Sequence, residues 1–149
     1  MRKHTNDKRS SAFTLIELLL VLVILATLAA IVVPKFARRT EQANITSAKT
    51  QISSFETALE TFEIDLGRYP TNTEGLNALV EKPSGLDKWK EPYLRRNKIP
   101  KEPWGNDYVY KQPGQYNEYS YDLYSMGADG QQGGEDDITN WENEDGTER

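Results

Sequence analysis

Two groups of acidic side chains carry the chemistry that this sequence suggests. The first is Glu17 alone, inside an apolar run that has no Lys, Arg or His between Phe13 and Pro34. An acidic side chain at bilayer depth costs about 2.5–3.5 kcal/mol on insertion scales, and less near an interface. Glu17 is therefore either solvated at the headgroup level or paired with a positive group. Such a group would come from another molecule or from a new amino terminus beside it.

The second group is a glycine-rich acidic loop near the C-terminus. Four carboxylates and four glycines fall between Gly127 and Asp137. Crowded carboxylates repel one another, so the loop needs solvent or a cation to keep one shape. Hard oxygen donors on a flexible loop suit Ca²⁺, although an EF-hand starting at Asp129 fails because its twelfth position is Asn140. The residues alone leave a solvated loop and a calcium site equally open.

Composition excludes several other kinds of chemistry. The chain has no Cys, and its one His is His4, near the N-terminus. Downstream of that residue, neither His-dependent acid–base chemistry nor a Cys nucleophile is available, and no disulfide can form. The net charge of −5 argues against nucleic acid as a partner. Paired-carboxylate hydrolysis stays open, but nothing singles out such a pair.

The element that must position Glu17 is a membrane-spanning helix. Thr27 is the only polar residue between Leu18 and Val33. Extended back to Phe13, the run reaches about 32 Å as a helix, enough for a hydrocarbon core of about 30 Å. The preceding residues 1–12 are short and basic, but their small residues come before the apolar run. A secretory signal has them after it.

At this junction the sequence resembles the type IV pilin and pseudopilin family. The resemblance lies in Ala12 followed by Phe-Thr-Leu-Ile-Glu at 13–17. It implies that a prepilin peptidase cleaves between Ala12 and Phe13 and that Phe13 is N-methylated. It also implies that Glu17 pairs with the Phe13 amine of a neighbouring subunit in a helical filament. The family normally has Gly before the cut, so with Ala12 we expect cleavage at a lower rate.

Beyond Pro34 the helix is predicted to continue as an amphipathic helix to residue 66. Apolar residues recur at alternating spacings of three and four, which is typical of one buried helix face. Gly67 ends the helix, and Pro70 follows. The apolar stripe is Ile45, Ala48, Ile52, Phe55, Leu59, Phe62 and Leu66.

The remaining pattern predicts a short helix, an irregular loop and a hairpin. The loop is rich in Pro and is expected to be pinned by Trp89 and Tyr93, with Trp104 as a core anchor. The two hairpin strands alternate and are rich in Tyr, as in a half-buried antiparallel pair. The turn and the start of the short helix are predicted at 71–76, its apolar face at Leu76, Leu79 and Val80, and its end at Pro83. The predicted ranges are 83–103 for the loop, and 108–110 and 119–124 for the strands.

Together with the N-terminal motif, the sequence over essentially all of residues 12–141 resembles the major pseudopilins of type II secretion systems. The resemblance lies in Pro-Trp-Gly-Asn-Asp-Tyr at 103–108, Arg-Tyr-Pro-Thr at 68–71 and the loop at 127–138. In that family the loop binds one Ca²⁺, which decides between the two readings of the loop. The resemblance implies side-chain ligands from Asp129, Asp136 and Asp137, with backbone oxygens from around Tyr124, Ser125 and Gln131.

The implied fold is α+β and type IV pilin-like. It has a long N-terminal helix, half in the membrane and half amphipathic, packed on a small antiparallel β-sheet with a C-terminal calcium loop. The implied function is the major structural subunit of a periplasmic pseudopilus that helps drive export of folded proteins, without enzymatic activity. The predicted segments are a cleaved leader 1–12, a membrane and filament-core helix 13–34, a periplasmic domain 35–141 and an acidic disordered tail 142–149.

The implied location is the inner membrane of a Gram-negative bacterium, crossed once, with the C-terminal domain in the periplasm. The implied partners are further copies of the chain, minor pseudopilins, the prepilin peptidase and the inner-membrane assembly platform. Two alternatives are a type IV pilus subunit and a singly anchored periplasmic calcium-binding module. The missing Cys pair and the Asp-rich loop argue against the first of these.

Overall fold

The computed structural model describes residues 13–90 and 92–141, and every side chain among them except those of residues 33–37. A single helix, α1, runs over Leu15–Leu66, and a short 3₁₀ helix over Gly75–Leu79. Three strands follow: β1 (Val109–Lys111), β2 (Asp122–Ser125) and β3 (Ile138–Thr139). The chain divides into two compact units, Met1–Thr40 and Glu41–Arg149. The predicted leader and tail lie outside the described residues.

The first unit contains the apolar half of α1. Leu15–Val32 has a mean hydropathy of 3.0, and none of it is buried within the chain. A helix that exposes apolar side chains all round needs lipid or other helices to cover them. The predicted apolar helix is confirmed, and α1 continues through Pro34 as expected.

In the second unit, the amphipathic half of α1 supplies one side of the core. The predicted stripe is confirmed: Ala48, Phe55, Leu59 and Phe62 are completely buried, and Ile52 nearly so. Ile45 and Leu66 pack at the edge of the same cluster. The helix ends where Gly67 adopts a φ of 73° and donates its N–H to the Glu63 carbonyl at 2.7 Å, a left-handed cap that glycine favours.

The sheet supplies the other side of the core. Its order is β1-β2-β3, with both pairs antiparallel, and Val109 and Thr139 both lie opposite Tyr124. All four residues of the central strand β2 are buried. The small antiparallel sheet is thus confirmed, but the prediction of a half-buried two-stranded hairpin is wrong in detail.

The predicted strand limits need three corrections. The first strand lies at 109–111 instead of 108–110, and the second begins at Asp122 instead of residue 119. The strand β3 was not predicted. The late start of β2 has a physical reason: the Asp122 carboxylate accepts backbone N–H groups from residues 115–117, which folds the preceding segment back as a loop. Tyr119 in that loop is 99% exposed.

The segment between α1 and the sheet is held down by aromatic side chains. Over the described residues 83–90 and 92–103, no helix or strand forms, as predicted. Trp89 donates its indole N–H to the Ala78 carbonyl at 2.9 Å, and the Tyr93 N–H bonds to the Leu79 carbonyl at 2.7 Å. Trp104 packs against the core and donates to Glu41 of α1 at 3.4 Å. The predicted roles of these three aromatic residues are confirmed.

Candidate functional site

Glu17 lies in the first turn of α1, where it completes a reciprocal cap. Its carboxylate accepts the Thr14 N–H at 2.8 Å and the Thr14 hydroxyl at 3.0 Å. The Glu17 N–H in turn donates to the Thr14 hydroxyl at 3.3 Å. This is a capping box, in which a Thr and a Glu three residues later satisfy each other's backbone donors. Among the described residues, the Glu17 carboxylate therefore has neutral partners but no positive one.

Thr14 is a functional residue that the sequence reasoning missed. The signal was present, because Thr-x-x-Glu immediately before an apolar run is the sequence pattern of a capping box. Phe13, which precedes this cap, is 81% exposed. Ala12 lies outside the described residues, so cleavage between Ala12 and Phe13 stays a prediction.

The acidic loop brings two of its predicted ligands together. The Asp129 N–H donates to the Asp136 carboxylate at 2.9 Å, which closes the loop on itself. A Cβ atom added at Gly134 would lie 2.6 Å from Asp136 Oδ1 and 3.3 Å from Asp129 Oδ2. Both carboxylates thus reach the space beside Gly134, a place that only glycine leaves open. The Asp129 carboxylate also accepts the Gln131 N–H at 2.8 Å.

The other predicted ligands lie around this pair in different settings. Asp137 is buried and accepts the Gly133 N–H at 2.7 Å. Tyr124 is 2% exposed, and its hydroxyl finds no hydrogen-bond partner among the described residues. Burial, followed by the nearby charge of Asp137, raises the pKa of the Tyr124 hydroxyl. Ser125 is fully buried at the end of β2, where the acidic loop begins.

The predicted ligands do not form a finished metal centre. Among the described residues, no three Asp, Glu, His or Cys side chains are grouped closely enough to bind a metal ion. The donor chemistry still fits Ca²⁺, since paired carboxylates, backbone carbonyls and a glycine cradle provide hard oxygen ligands on an adaptable loop. The calcium site therefore stays a prediction.

Two further buried carboxylates near the sheet escaped the sequence reasoning. Asp122 is 2% exposed and Glu102 is 3% exposed. Asp122 could have been noticed as an acid within a Tyr-rich strand pattern. Glu102 gave no signal, because an acid before Pro103 in a Pro-rich stretch is expected at the surface.

Comparison with known proteins identifies the family. Residues 35–141 match the family described as "Type II secretion system (T2SS), protein G". Residues 7–33 match the prokaryotic N-terminal methylation motif. Together, the two matches span the capped helix and the whole domain that contains the acidic loop.

Individual relatives agree over nearly the full length of the chain. Type II secretion system core protein G of Pseudomonas aeruginosa is 46% identical over 143 residues, covering 91% of this chain and 98% of that protein. The protein of the same name from Escherichia coli K12 is 42% identical, covering 89% and 92%. The crystal structure of the major pseudopilin from the type 2 secretion system of enterohaemorrhagic E. coli has 37% identity and a TM-score of 0.58. It covers 74% of this chain and 96% of that one. The chain belongs to the protein G family of type II secretion systems, the major pseudopilins.

Proposed function

We propose that this chain is the major structural subunit of a type II secretion pseudopilus, a filament that helps export folded proteins. The observation that carries the proposal is the capped apolar helix, which exposes its apolar side chains all round. Phe13 and Thr14 precede it, and Glu17 lies in its first turn. Such a helix can be covered by lipid before assembly and by sister helices afterwards. Neither a type IV pilus subunit nor a singly anchored calcium module is favoured, because the family match covers residues 35–141.

Processing creates the positive partner that Glu17 lacks among the described residues. Cleavage between Ala12 and Phe13 by a prepilin peptidase, followed by N-methylation, leaves a positive amine at Phe13. In the filament that amine pairs with Glu17 of a neighbouring subunit, where the low dielectric strengthens the attraction between the two charges. Before assembly, Thr14 supplies the partner that makes the carboxylate tolerable near the membrane surface.

The chain is anchored once in the inner membrane through its apolar helix, with the domain of residues 35–141 in the periplasm. Its partners are other copies of itself, minor pseudopilins, the prepilin peptidase and the assembly platform of the inner membrane. Its role is structural, not enzymatic.

Calcium is the proposed cofactor of the acidic loop. Asp129 and Asp136 would hold it through their carboxylates, with Asp137 and backbone oxygens near Tyr124, Ser125 and Gln131. The ion would neutralise the crowded carboxylates and close the loop, a role that a disulfide cannot fill in a chain without Cys. The support is the convergence of Asp129 and Asp136 beside Gly134.

The intact mass of the membrane-extracted protein tests the proposal. We expect a chain that begins at Phe13 and carries one added methyl group. A matched Ala12→Gly variant should give the same product at a higher rate. A mature protein that begins at any other residue would contradict the proposed processing.

A further inference from the structure

Glu102 is a buried carboxylate in an unusual setting. It is 3% exposed, and no Lys or Arg within the described residues forms an ion pair with it. One oxygen, Oε2, accepts a hydrogen bond from the Ser125 hydroxyl, and the other, Oε1, has no hydrogen-bond partner in the described part of the chain. Burying a carboxylate with so few partners is costly, so its presence needs a reason beyond packing.

Through Ser125 the carboxylate reaches the acidic loop. The Ser125 hydroxyl accepts the Gly127 N–H at 3.2 Å. Gly127 in turn lies against Asp136, since an added Cβ there would be 2.6 Å from Asp136 Oδ2. A continuous series of contacts therefore joins Glu102 to one of the two converging aspartates.

The turn that carries Glu102 touches the loop at a second place. Residues 102–106 form a closed turn, in which the Glu102 N–H bonds to the Asn106 carbonyl at 3.0 Å. The Asn106 side chain lies beneath Gly130, where an added Cβ would be 3.1 Å from Asn106 Nδ2. The turn thus supports the loop on both sides of Asp129, beside Ser125 and beneath Gly130.

We propose that Glu102 is a positioning residue for the calcium loop: by holding Ser125 it fixes Gly127 against Asp136, and its negative charge below the loop favours a divalent cation. The inference rests on the calcium site proposed above. Residues that orient metal ligands through hydrogen bonds typically contribute about 10- to 100-fold to metal affinity. Glu102 would belong to this class without touching the ion.

This inference is tested by titrating the full-length chain in detergent with calcium and measuring the binding by calorimetry. We expect Glu102→Gln, which keeps the size of the side chain but removes its charge, to weaken calcium binding by about 10-fold. Glu102→Ala should weaken it more. The matched control is Asp107→Asn, one residue past the same turn, where the side chain is 83% exposed and calcium affinity should be unchanged.

A double variant separates positioning from general destabilisation. If Glu102 acts through Ser125, Ser125→Ala should also weaken calcium binding, and the two substitutions together should cost less than the sum of their separate effects. If Glu102 had a purely structural role, Glu102→Gln would lower the melting temperature in EDTA, but the folded variant would bind calcium as tightly as the wild type does. That result would overturn the role of Glu102 and leave the calcium site standing. A wild-type chain that binds no calcium would overturn both.

Discussion

At the scale of single residues, carboxylates bonded to backbone or side-chain donors fix the loops of this domain. Asp122 binds backbone N–H groups of the β1–β2 loop, Glu74 binds Arg68 and Thr71 in the segment after α1, and Glu102 lies under the acidic loop. Asp122 and Glu74 each accept hydrogen bonds from several donors that would otherwise lack partners, whereas Glu102 accepts one, from the Ser125 hydroxyl. Their importance comes from the donors that surround them, and those donors are brought together only by the fold.

Replacing Asp122 should destabilise the domain. Its carboxylate accepts the N–H groups of Gln115 at 2.6 Å, Tyr116 at 3.1 Å and Asn117 at 3.0 Å. Asp122→Asn removes the charge and one acceptor oxygen, so we expect a loss of about 1.5–3 kcal/mol in the free energy of unfolding. Urea unfolding of the full chain in detergent measures this loss in the free energy of unfolding. Glu118→Gln, in the same loop but exposed, should change little; equal losses would contradict the assigned role.

Glu74 should make stability depend on pH. Two hydrogen bonds from the Arg68 guanidinium, both 2.8 Å, and one from the Thr71 N–H lower the pKa of the Glu74 carboxyl to about 2. A depressed pKa stabilises the fold above the ordinary value of 4.5, and this stability is lost as pH falls toward about 2. Glu74→Gln should therefore reduce stability at pH 7 and flatten its dependence between pH 5 and about 2.

The control for Glu74 is Glu81→Gln, an exposed acid just beyond the 3₁₀ helix. Thermal melting of both variants across the same pH range gives the comparison. A Glu74→Gln protein that melts in parallel with the wild type at every pH would show that the Arg68 pair contributes nothing.

At the scale of elements, the sequence predicts α1 well because hydrophobic periodicity accumulates over many turns. The stripe through Phe55, Leu59 and Phe62 is repeated often enough to leave one interpretation. The sheet was harder to predict. The strand β3 has two residues, Ile138 and Thr139, too few for any alternation, and its pairing with β2 depends on distant partners.

The two faces of α1 offer a matched test of this account. Leu59 is completely buried, whereas Ile64, five residues later in the same helix, is 82% exposed. Leu59→Ala should cost about 2–5 kcal/mol, since it removes core contacts and leaves a cavity. Ile64→Ala should stay within about 0.5 kcal/mol of wild type. Urea unfolding of the monomer in detergent compares them, and similar losses would mean that the core is not where the stripe places it.

For the candidate site, as for the fold, the sequence predicted some residues and not others. The loop could be picked out because crowded acids among glycines need a cation or solvent, whereas the choice of Asp129 and Asp136 came from the resemblance to the major pseudopilins. Glu102 could not be picked out from the sequence. It is buried because its turn folds beneath a loop that lies 20 or more residues away in sequence. Thr14 was predictable from the capping-box pattern, but the predicted partner of Glu17 was a positive group, because Glu17 is charged.

At the scale of the whole molecule, the chain joins an apolar helix that needs covering to a domain with its own core. The apolar segment Leu15–Val32 carries one acid, Glu17, and Thr14 is the only hydrogen-bond partner of its carboxylate among the described residues. We propose that removal of the leader replaces this local arrangement with an amine from a sister subunit. Polymerisation would then depend on the charge of residue 17 and not only on its capping role.

The pairing of Glu17 with a neighbouring amine is tested by filament assembly of the Glu17→Gln variant, because Gln also serves in a capping box but carries no charge. The measurement is electron microscopy of filaments from cells that express this chain with a complete type II secretion system. Thr27→Val is the control, because it removes the only polar group between Leu18 and Val33. We expect wild type and Thr27→Val to form filaments, and Glu17→Gln to insert and mature normally without assembling. Normal filaments from Glu17→Gln would contradict the pairing of Glu17 with a neighbouring amine.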